Sequence, residues 1–299
     1  MRTVHLSAIS HVLGEARPIG ELGDAVAELA HPDHGLAYFR SADQEICELA
    51  EAACVRTASL WSGAPDLVLY VSENDGEAAD TLARLAQAIG LPGVSLLAVS
   101  GHGCGNLGPA LRTAAAALHA GEHDRVLLVL ADRALPGERL MRSGLSVFSD
   151  SAAACVITRE PEPADGFQAE ITAVVTKHQA DRDAEGRTSQ SILGMAELAE
   201  AATADVLRRT NCTPDEFDHV VLANYRIVSQ RFLVSAMGVP ARSLMIGPVG
   251  DLGHCFSADL LISMDSFAAT GRIKPGDRLL AAATGTSSWS TMALEVTRT

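Results

Sequence analysis

The feature that most constrains this chain is that its plan is stated twice. Glu48-Leu49-Ala50-Glu51-Ala52-Ala53 recurs letter for letter as Glu197-Leu198-Ala199-Glu200-Ala201-Ala202. Asp66-Leu67-Val68-Leu69-Tyr70 is answered by Asp218-His219-Val220-Val221-Leu222, and Ser95-Leu96-Leu97 by Ser243-Leu244-Met245. Asp124-Arg125-Val126-Leu127 is answered by Asp277-Arg278-Leu279-Leu280. One hexapeptide match between alanine-rich helices is weak, but four in order at a nearly constant offset of about 150 residues mark a duplicated unit. Two βα-rich halves, 1–165 and 166–299, follow, with Pro161 to Gly166 as the linker and helices packed against sheets.

Each copy carries a strand-to-helix elbow. In the first, Ser95 to Val99 has strand character, Ser100 to Gly105 is a glycine-rich turn, and from Asn106 apolar residues fall at helical spacing. Arg125 to Ala131 is the next buried strand. Cys104 therefore stands where free N–H groups and the helix dipole favour a thiolate, a position suited to a nucleophile that accepts an acyl group. The plain alternative is a small buried cysteine filling space. In the second copy the same elbow is Asp251-Leu252-Gly253-His254-Cys255. Related by an approximate twofold, the two bends bring Cys104 and His254 face to face, at the carboxyl ends of strands where ligands of open α/β sheets bind.

Elsewhere Thr3 to Ile9, Asp66 to Val71, Ala152 to Thr158 and Gln168 to Val175 predict strands. Helices are expected from Ser41 or Asp43 to about Ser62, from Asp80 to Ile89, and from Ser189 to Arg209. A Gly/Pro-punctuated region follows the first strand to about Leu36. The segments from Asp132 to Val147 and from Thr176 to Gln190 are expected to set the pocket.

Bulk properties narrow the function. Of 299 residues 47% are hydrophobic, which is enough for a large core, and a net charge of −14 argues against nucleic acid or an anionic membrane as partner. Six scattered cysteines without a CxxC pair suggest neither a zinc site nor a disulfide framework, so no metal is expected and a reducing, cytoplasmic setting is the simpler one. No secretory leader and no apolar run near the roughly 20 residues of a membrane span is present.

Taken together the motifs resemble the thiolase superfamily, most closely the ketoacyl-acyl-carrier-protein synthase III branch. Cys104 before its alanine-rich helix is similar to that family's acyl-accepting cysteine. Phe148-Ser149-Asp150-Ser151-Ala152-Ala153 is similar to F-G-D-G-A with both glycines replaced. Leu222-Ala223-Asn224-Tyr225-Arg226-Ile227 is similar to H-Q-A-N-L-R-I, and Gly271 to Arg278 to the segment before the last core strands. Thr284 to Trp289 stands at the glycine-rich turn. The resemblance implies a thiolase-like α/β fold of two duplicated halves in a five-layer αβαβα arrangement, a homodimer joined through edge strands near Ser95 to Val99, and an acyl-CoA or acyl-carrier-protein substrate with no bound cofactor.

Two departures redirect the expected chemistry. Condensing members carry a histidine where this chain has Val221, and an asparagine where it has His254. Without that pair a developing enolate loses its donors, and one such donor is typically worth about 3 kcal/mol. The resemblance to thiolases instead implies that His254 activates Cys104. The expected reaction is acyl transfer from a thioester through Cys104 to an alcohol or amine, with His254 as base. The resemblance also implies that the N–H groups of Cys104 and Gly285 form the oxyanion hole. Asp259 is expected to orient His254, with Asp251 and Asp265 as competitors, and His102 is the rival base. By resemblance Asn224 and Arg226 bind the thioester arm, and Arg208, Arg209 and Arg231 could add a patch for an acidic carrier protein. The alternatives are carbon–carbon condensation with His254 alone, and a non-catalytic partner subunit. Loss of the condensing pair associates the chain with secondary metabolism.

Overall fold

The computed structural model describes residues 2–179, 192–285 and 287–299. The first half runs β1 (Val4–Leu13), β2 (Glu15–Pro18), β3 (Tyr38–Ser41), α1 (Ile46–Ser59), β4 (Leu67–Val71), α2 (Ala78–Ala88), β5 (Ser95–Val99), α3 (Leu107–Ala120), β6 (Arg125–Asp132) and β7 (Ser151–Thr158). The second runs β8 (Gln168–His178), α4 (Ile192–Thr210), β9 (His219–Leu222), α5 (Ile227–Ala236), β10 (Leu244–Met245), α6 (Val249–Leu252), α7 (Asp259–Ala269), β11 (Arg278–Thr284) and β12 (Ser288–Arg298).

The repeat seen in the letters returns in the topology. Strands are ordered β5-β4-β6-β7-β1 in the first half and β10-β9-β11-β12-β8 in the second, with parallel and antiparallel pairs at corresponding places. β1 and β8 pair antiparallel through Val4–Ile171, His5–Glu170 and Leu6–Ala169, so the two five-stranded sheets join into one of ten strands. β2 and β3 form a separate ribbon.

Burial explains the layering. The strands β4, β6 and β7 are buried almost throughout, the continuous apolar pattern of sheets covered on both faces. Leu49, Ala53 and Leu85 of α1 and α2 seal one outer face. Ala199, Val206, Leu233 and Val234 of α4 and α5 seal the other. Between the sheets lie α3 and α7, packed against strands of both halves. These are the five layers expected from the thiolase-like resemblance. The alanines of α3 keep helical propensity while letting the sheets approach closely: a side chain at Gly108 would overlap Ser290 of β12.

Some boundaries differ. β1 continues past Ile9 to Leu13 through a bulge near Ser7–Ser10, where Ala8 takes φ 51°, so the alternation breaks before the strand does. The glycine- and proline-rich stretch is followed by β3, whose four residues are too few to show a period. The helix expected from Ser189 is described from Ile192 onward; residues 189–191, and most of the 176–190 segment, lie outside the described residues.

Candidate active site

Cys104 sits in a 3₁₀ turn, Gly103–Gly105, that runs directly into α3. The turn is tied down from two sides. The Asn106 carboxamide accepts from His102 N–H at 3.0 Å, and Glu73 accepts from Gly103 N–H at 3.1 Å and Asn106 Nδ2 at 3.4 Å. The Glu73 turn is itself anchored by Asp132, whose Oδ1 accepts from Ser72 Oγ at 2.9 Å and from the Glu73 and Asn74 N–H groups at 2.8 and 3.0 Å. Burial pushes the Asp132 carboxyl up to about 7 against these bonds.

The opposite elbow joins α6 to α7. Gly253 takes φ 62°, and a Cβ there would sit 2.8 Å from the Val147 carbonyl oxygen, so only glycine turns the chain back this tightly. The bend then docks on the segment before β7: His254 N–H donates to Val147 O at 2.8 Å and Ser149 N–H to His254 O at 2.9 Å. Ser257 Oγ donates to Gly103 O at 3.4 Å, which joins the histidine elbow to the cysteine elbow directly.

His254 is fully buried, and its Nδ1 hydrogen-bonds to Asp259 Oδ2. Asp259, in the first turn of α7, also accepts from Asn224 N–H at 2.8 Å, Asn224 Nδ2 at 3.1 Å and Cys255 N–H at 2.7 Å. Four donors converge on this one buried carboxylate, and its bond to Nδ1 fixes the tautomer and orientation of the ring, leaving Nε2 without a hydrogen-bond partner among the described residues. Burial opposes a charged imidazole, but the nearby charges of Asp259 and Cys104 and the hydrogen bond to Asp259 outweigh it and raise His254 to about 10.

Both elbows open on a cavity of about 480 Å³. Its floor holds Cys104, Thr284 and Gly285; Tyr225, Phe148 and Phe256 form an aromatic wall, with the two phenylalanine rings stacked at 4.5 Å. The segment between β6 and β7 supplies Leu135, Leu140, Met141 and Leu145, so the stretch 132–147 shapes the pocket. The wall is mostly apolar, with Glu73, Asn74 and Glu138 among its polar groups, the composition of a site for an acyl chain rather than a highly charged ligand.

The other expected residues fall as follows. Asp251 is exposed and Asp265 faces His11 at 3.2 Å, so neither reaches His254. His102 does not line the cavity; its ring lies 4.9 Å from that of His178, and burial and His178 lower its pKa. Asn224, expected on the thioester arm, is instead fully buried beneath Asp259, because the loop after β9 turns inward to supply two donors to that carboxylate. Arg226 precedes α5, bonds Ser229 Oγ at 3.0 Å and does not line the cavity. Gly285 does line it, and a side chain there would overlap the His102 carbonyl oxygen, but its N–H donates to Ser288 O at 2.9 Å. Among the described residues Cys104 N–H makes no hydrogen bond, so one of the two expected oxyanion donors is uncommitted and the other is engaged. Thr286 lies outside the described residues.

Tyr225 was not legible as a site residue, since it stands where the resembling motif has leucine. Its ring is 5.1 Å from the His254 ring, it is 2% exposed, and it lines the cavity. Three of the other cysteines are buried, and burial raises Cys54 to about 12, Cys155 further, and Cys255 well above the ordinary thiol value. No three histidine, cysteine or acidic side chains cluster to hold a metal among the described residues, and no described helix is long and apolar enough to cross a membrane.

The chain is similar to known proteins in sequence and in fold. Residues 207–296 match the family described as 3-oxoacyl-[acyl-carrier-protein (ACP)] synthase III C terminal. The β-ketoacyl-[acyl-carrier-protein] synthase III of Paracoccus denitrificans (strain Pd 1222) is 27% identical over an alignment covering 83% of each chain. Among solved structures, ChlB3, described as an acyltransferase, superposes with a TM-score of 0.83 at 22% identity, covering 99% of this chain and 98% of the other. The 3-oxoacyl-[acyl-carrier-protein] synthase III of Aquifex aeolicus VF5 gives 0.78 at 19% identity, covering 98% and 99%. The chain therefore has the thiolase-like α/β fold of these structures over nearly its whole length, and its C-terminal part is similar to the synthase III family.

Proposed function

We propose that the protein transfers an acyl group from a coenzyme A or acyl-carrier-protein thioester, through an acyl-enzyme on Cys104, to an alcohol or amine. The observation that carries this reading is the buried His254–Asp259 pair lying behind the cavity wall, close enough to Cys104, which lines the cavity, for the thiol's charge to raise the imidazole. His254 Nε2 takes the thiol proton, the sulfur attacks the thioester carbonyl, and the departing thiol recovers that proton. The neutral imidazole then deprotonates the acceptor as it attacks the acyl-enzyme. Asp259 orients the ring and Asn224 holds Asp259, which makes Asn224 a positioning residue.

Reading Val221 and His254 at the places of the condensing pair supports transfer over chain extension. Val221 is fully buried in β9 and offers no donor, and the ring of His254 is committed to Asp259 through Nδ1. The relatives named as synthase III favour a second reading, carbon–carbon condensation with His254 alone. The third reading is a non-catalytic partner subunit. The likeness to ChlB3, described as an acyltransferase, supports the transferase reading. The halves 1–165 and 166–299 each contribute one reacting side chain. The exposed edge of β5, with Leu96 and Leu97 about two-fifths uncovered, supports a homodimer paired through that strand.

The test is incubation with a panel of acyl thioesters, with and without alcohols and amines, read by mass spectrometry. Transfer predicts a stable adduct that discharges only on adding acceptor and disappears in Cys104→Ser, with His254→Ala strongly slowed. Carbon dioxide release from a malonyl thioester, with a lengthened product, selects condensation. An adduct that forms only with a homologous subunit present selects the partner role, and labelling indifferent to both variants overturns the assignment.

A further inference from the structure

We infer that the phenol of Tyr225 is a catalytic hydrogen-bond donor, the group that joins the Cys104 N–H in holding the oxyanion of each tetrahedral intermediate. The inference rests on the acyl-enzyme reading above and adds a residue to it. Three observations carry it. The Gly285 N–H, which the resemblance assigned to this task, is engaged by Ser288 O at 2.9 Å, so the cysteine's own N–H lacks a second donor. Tyr225 is 2% exposed overall yet lines the cavity that holds Cys104, and its hydroxyl, which has no partner among the described residues, is not one of the enclosed, unpaired polar atoms. A phenol that borders a cavity without a protein partner is free to donate to a group that arrives with the substrate. Its ring packs 5.1 Å from that of His254, with a tilt of 48°, which holds it beside the proton-transferring group.

Electrostatics favour a donor over an acid. Burial, with the charges of Cys104 and Asp259 adding to it, raises the phenol well above its ordinary value. The O–H therefore keeps its proton while negative charge develops beside it. In the acylation step the Cys104 sulfur forms a bond to the thioester carbon and the carbonyl π pair moves to oxygen. Tyr225 O–H and Cys104 N–H hydrogen-bond to that oxygen without transferring a proton. The pair then returns, the carbon–sulfur bond to the donor breaks, and the leaving thiolate takes its proton from His254. Deacylation repeats the sequence with the acceptor oxygen or nitrogen as nucleophile.

The experiment is Tyr225→Phe in the full chain, which keeps the ring and its packing. Acylation by a simple acyl-CoA should slow by about 10²–10³-fold, the usual cost of one oxyanion donor, with KM for the thioester changed far less than kcat. A second readout moves only if the hydroxyl touches the carbonyl: isotope-edited infrared spectroscopy of the acyl-enzyme carrying a ¹³C carbonyl. The wild-type carbonyl band should lie below that of the same thioester in an apolar solvent, and Tyr225→Phe should shift it back upward. A wild-type band at the apolar-solvent frequency overturns the proposal even if the variant fails to fold. So does a variant that acylates at the wild-type rate with an unmoved band. A wild-type protein that takes no acyl group overturns the acyl-enzyme reading itself and this inference with it, a different outcome from a normal adduct in the variant.

Discussion

Replacing Asp259 by asparagine tests how much of the chemistry runs through one carboxylate. Its two oxygens face only donors: His254 Nδ1, the Asn224 and Cys255 N–H groups and Asn224 Nδ2. An asparagine presents an NH₂ group to one side of this set and leaves buried donors unpaired, at about 1–3 kcal/mol each. It also removes the largest influence raising His254, while the burial that lowers the ring's pKa stays. From the free-imidazole value of 6.5 to about 10 is a lift worth, as an upper bound, roughly 5 kcal/mol at about 1.4 kcal/mol per unit. Losing most of it should slow acylation by about 10³–10⁴-fold. The assay is the time course of acyl-enzyme formation by intact mass from pH 6 to 10, with circular dichroism confirming the fold. A folded Asp259→Asn that acylates at the wild-type rate, with an unchanged pH profile, would refute the account of the pair.

Three further predictions rest on other parts of the fold. Asp132 is a carboxyl raised to about 7 from 3.8, so the stability it contributes is present at low pH and is lost as pH rises from about 4 to about 7. Asp132→Asn keeps the Oδ1 acceptor, and thermal unfolding should show its advantage over wild type growing across that window, by at most roughly 4 kcal/mol. Arg139 grips the fully buried Asp150 through two bonds of 2.8 and 2.7 Å, so Arg139→Met leaves that carboxylate with only Arg133 at 3.9 Å and the Ala42 and Ala134 N–H groups, and should cost about 3 kcal/mol in urea denaturation. Leu97→Lys on the edge of β5 should convert a homodimer to monomer in analytical ultracentrifugation, and an unchanged sedimentation coefficient refutes the edge pairing.

The fold was readable because it is made of repeats and continuous apolar runs. The duplicated hexapeptide marks α1 and α4, and the runs at Leu67–Val71 and Arg125–Asp132 are buried on both sheet faces, so local pattern and tertiary environment agree. β3 was not readable, since four residues carry no period and its place is set by pairing with β2. Around the candidate site, the meeting of the Cys104 and His254 elbows was legible from the repeat, and the contact of Asp259 with His254 from its spacing, while their chemical roles belong to the proposal. Asn224 was read toward the substrate because its motif alone cannot say which way a loop turns after its strand. Here it turns inward to serve Asp259. Gly285 was read as a free donor because a backbone N–H carries no letter in the sequence; the tight turn to Ser288 engages it. Tyr225 left no signal, being an aromatic in an apolar run whose hydroxyl acquires meaning only through a cavity assembled from both halves.

The central claim is that one thiol, facing one buried imidazole, carries the acyl group. It is tested most directly by treating the protein with an acyl-CoA panel, digesting it, and locating the added mass by peptide sequencing. The account predicts a single acyl adduct on the peptide containing Cys104, absent from Cys104→Ser and formed at a strongly reduced rate in His254→Ala. An adduct on Cys47 or Cys212, the other cysteines that are not fully buried, or no adduct from any donor, would contradict it.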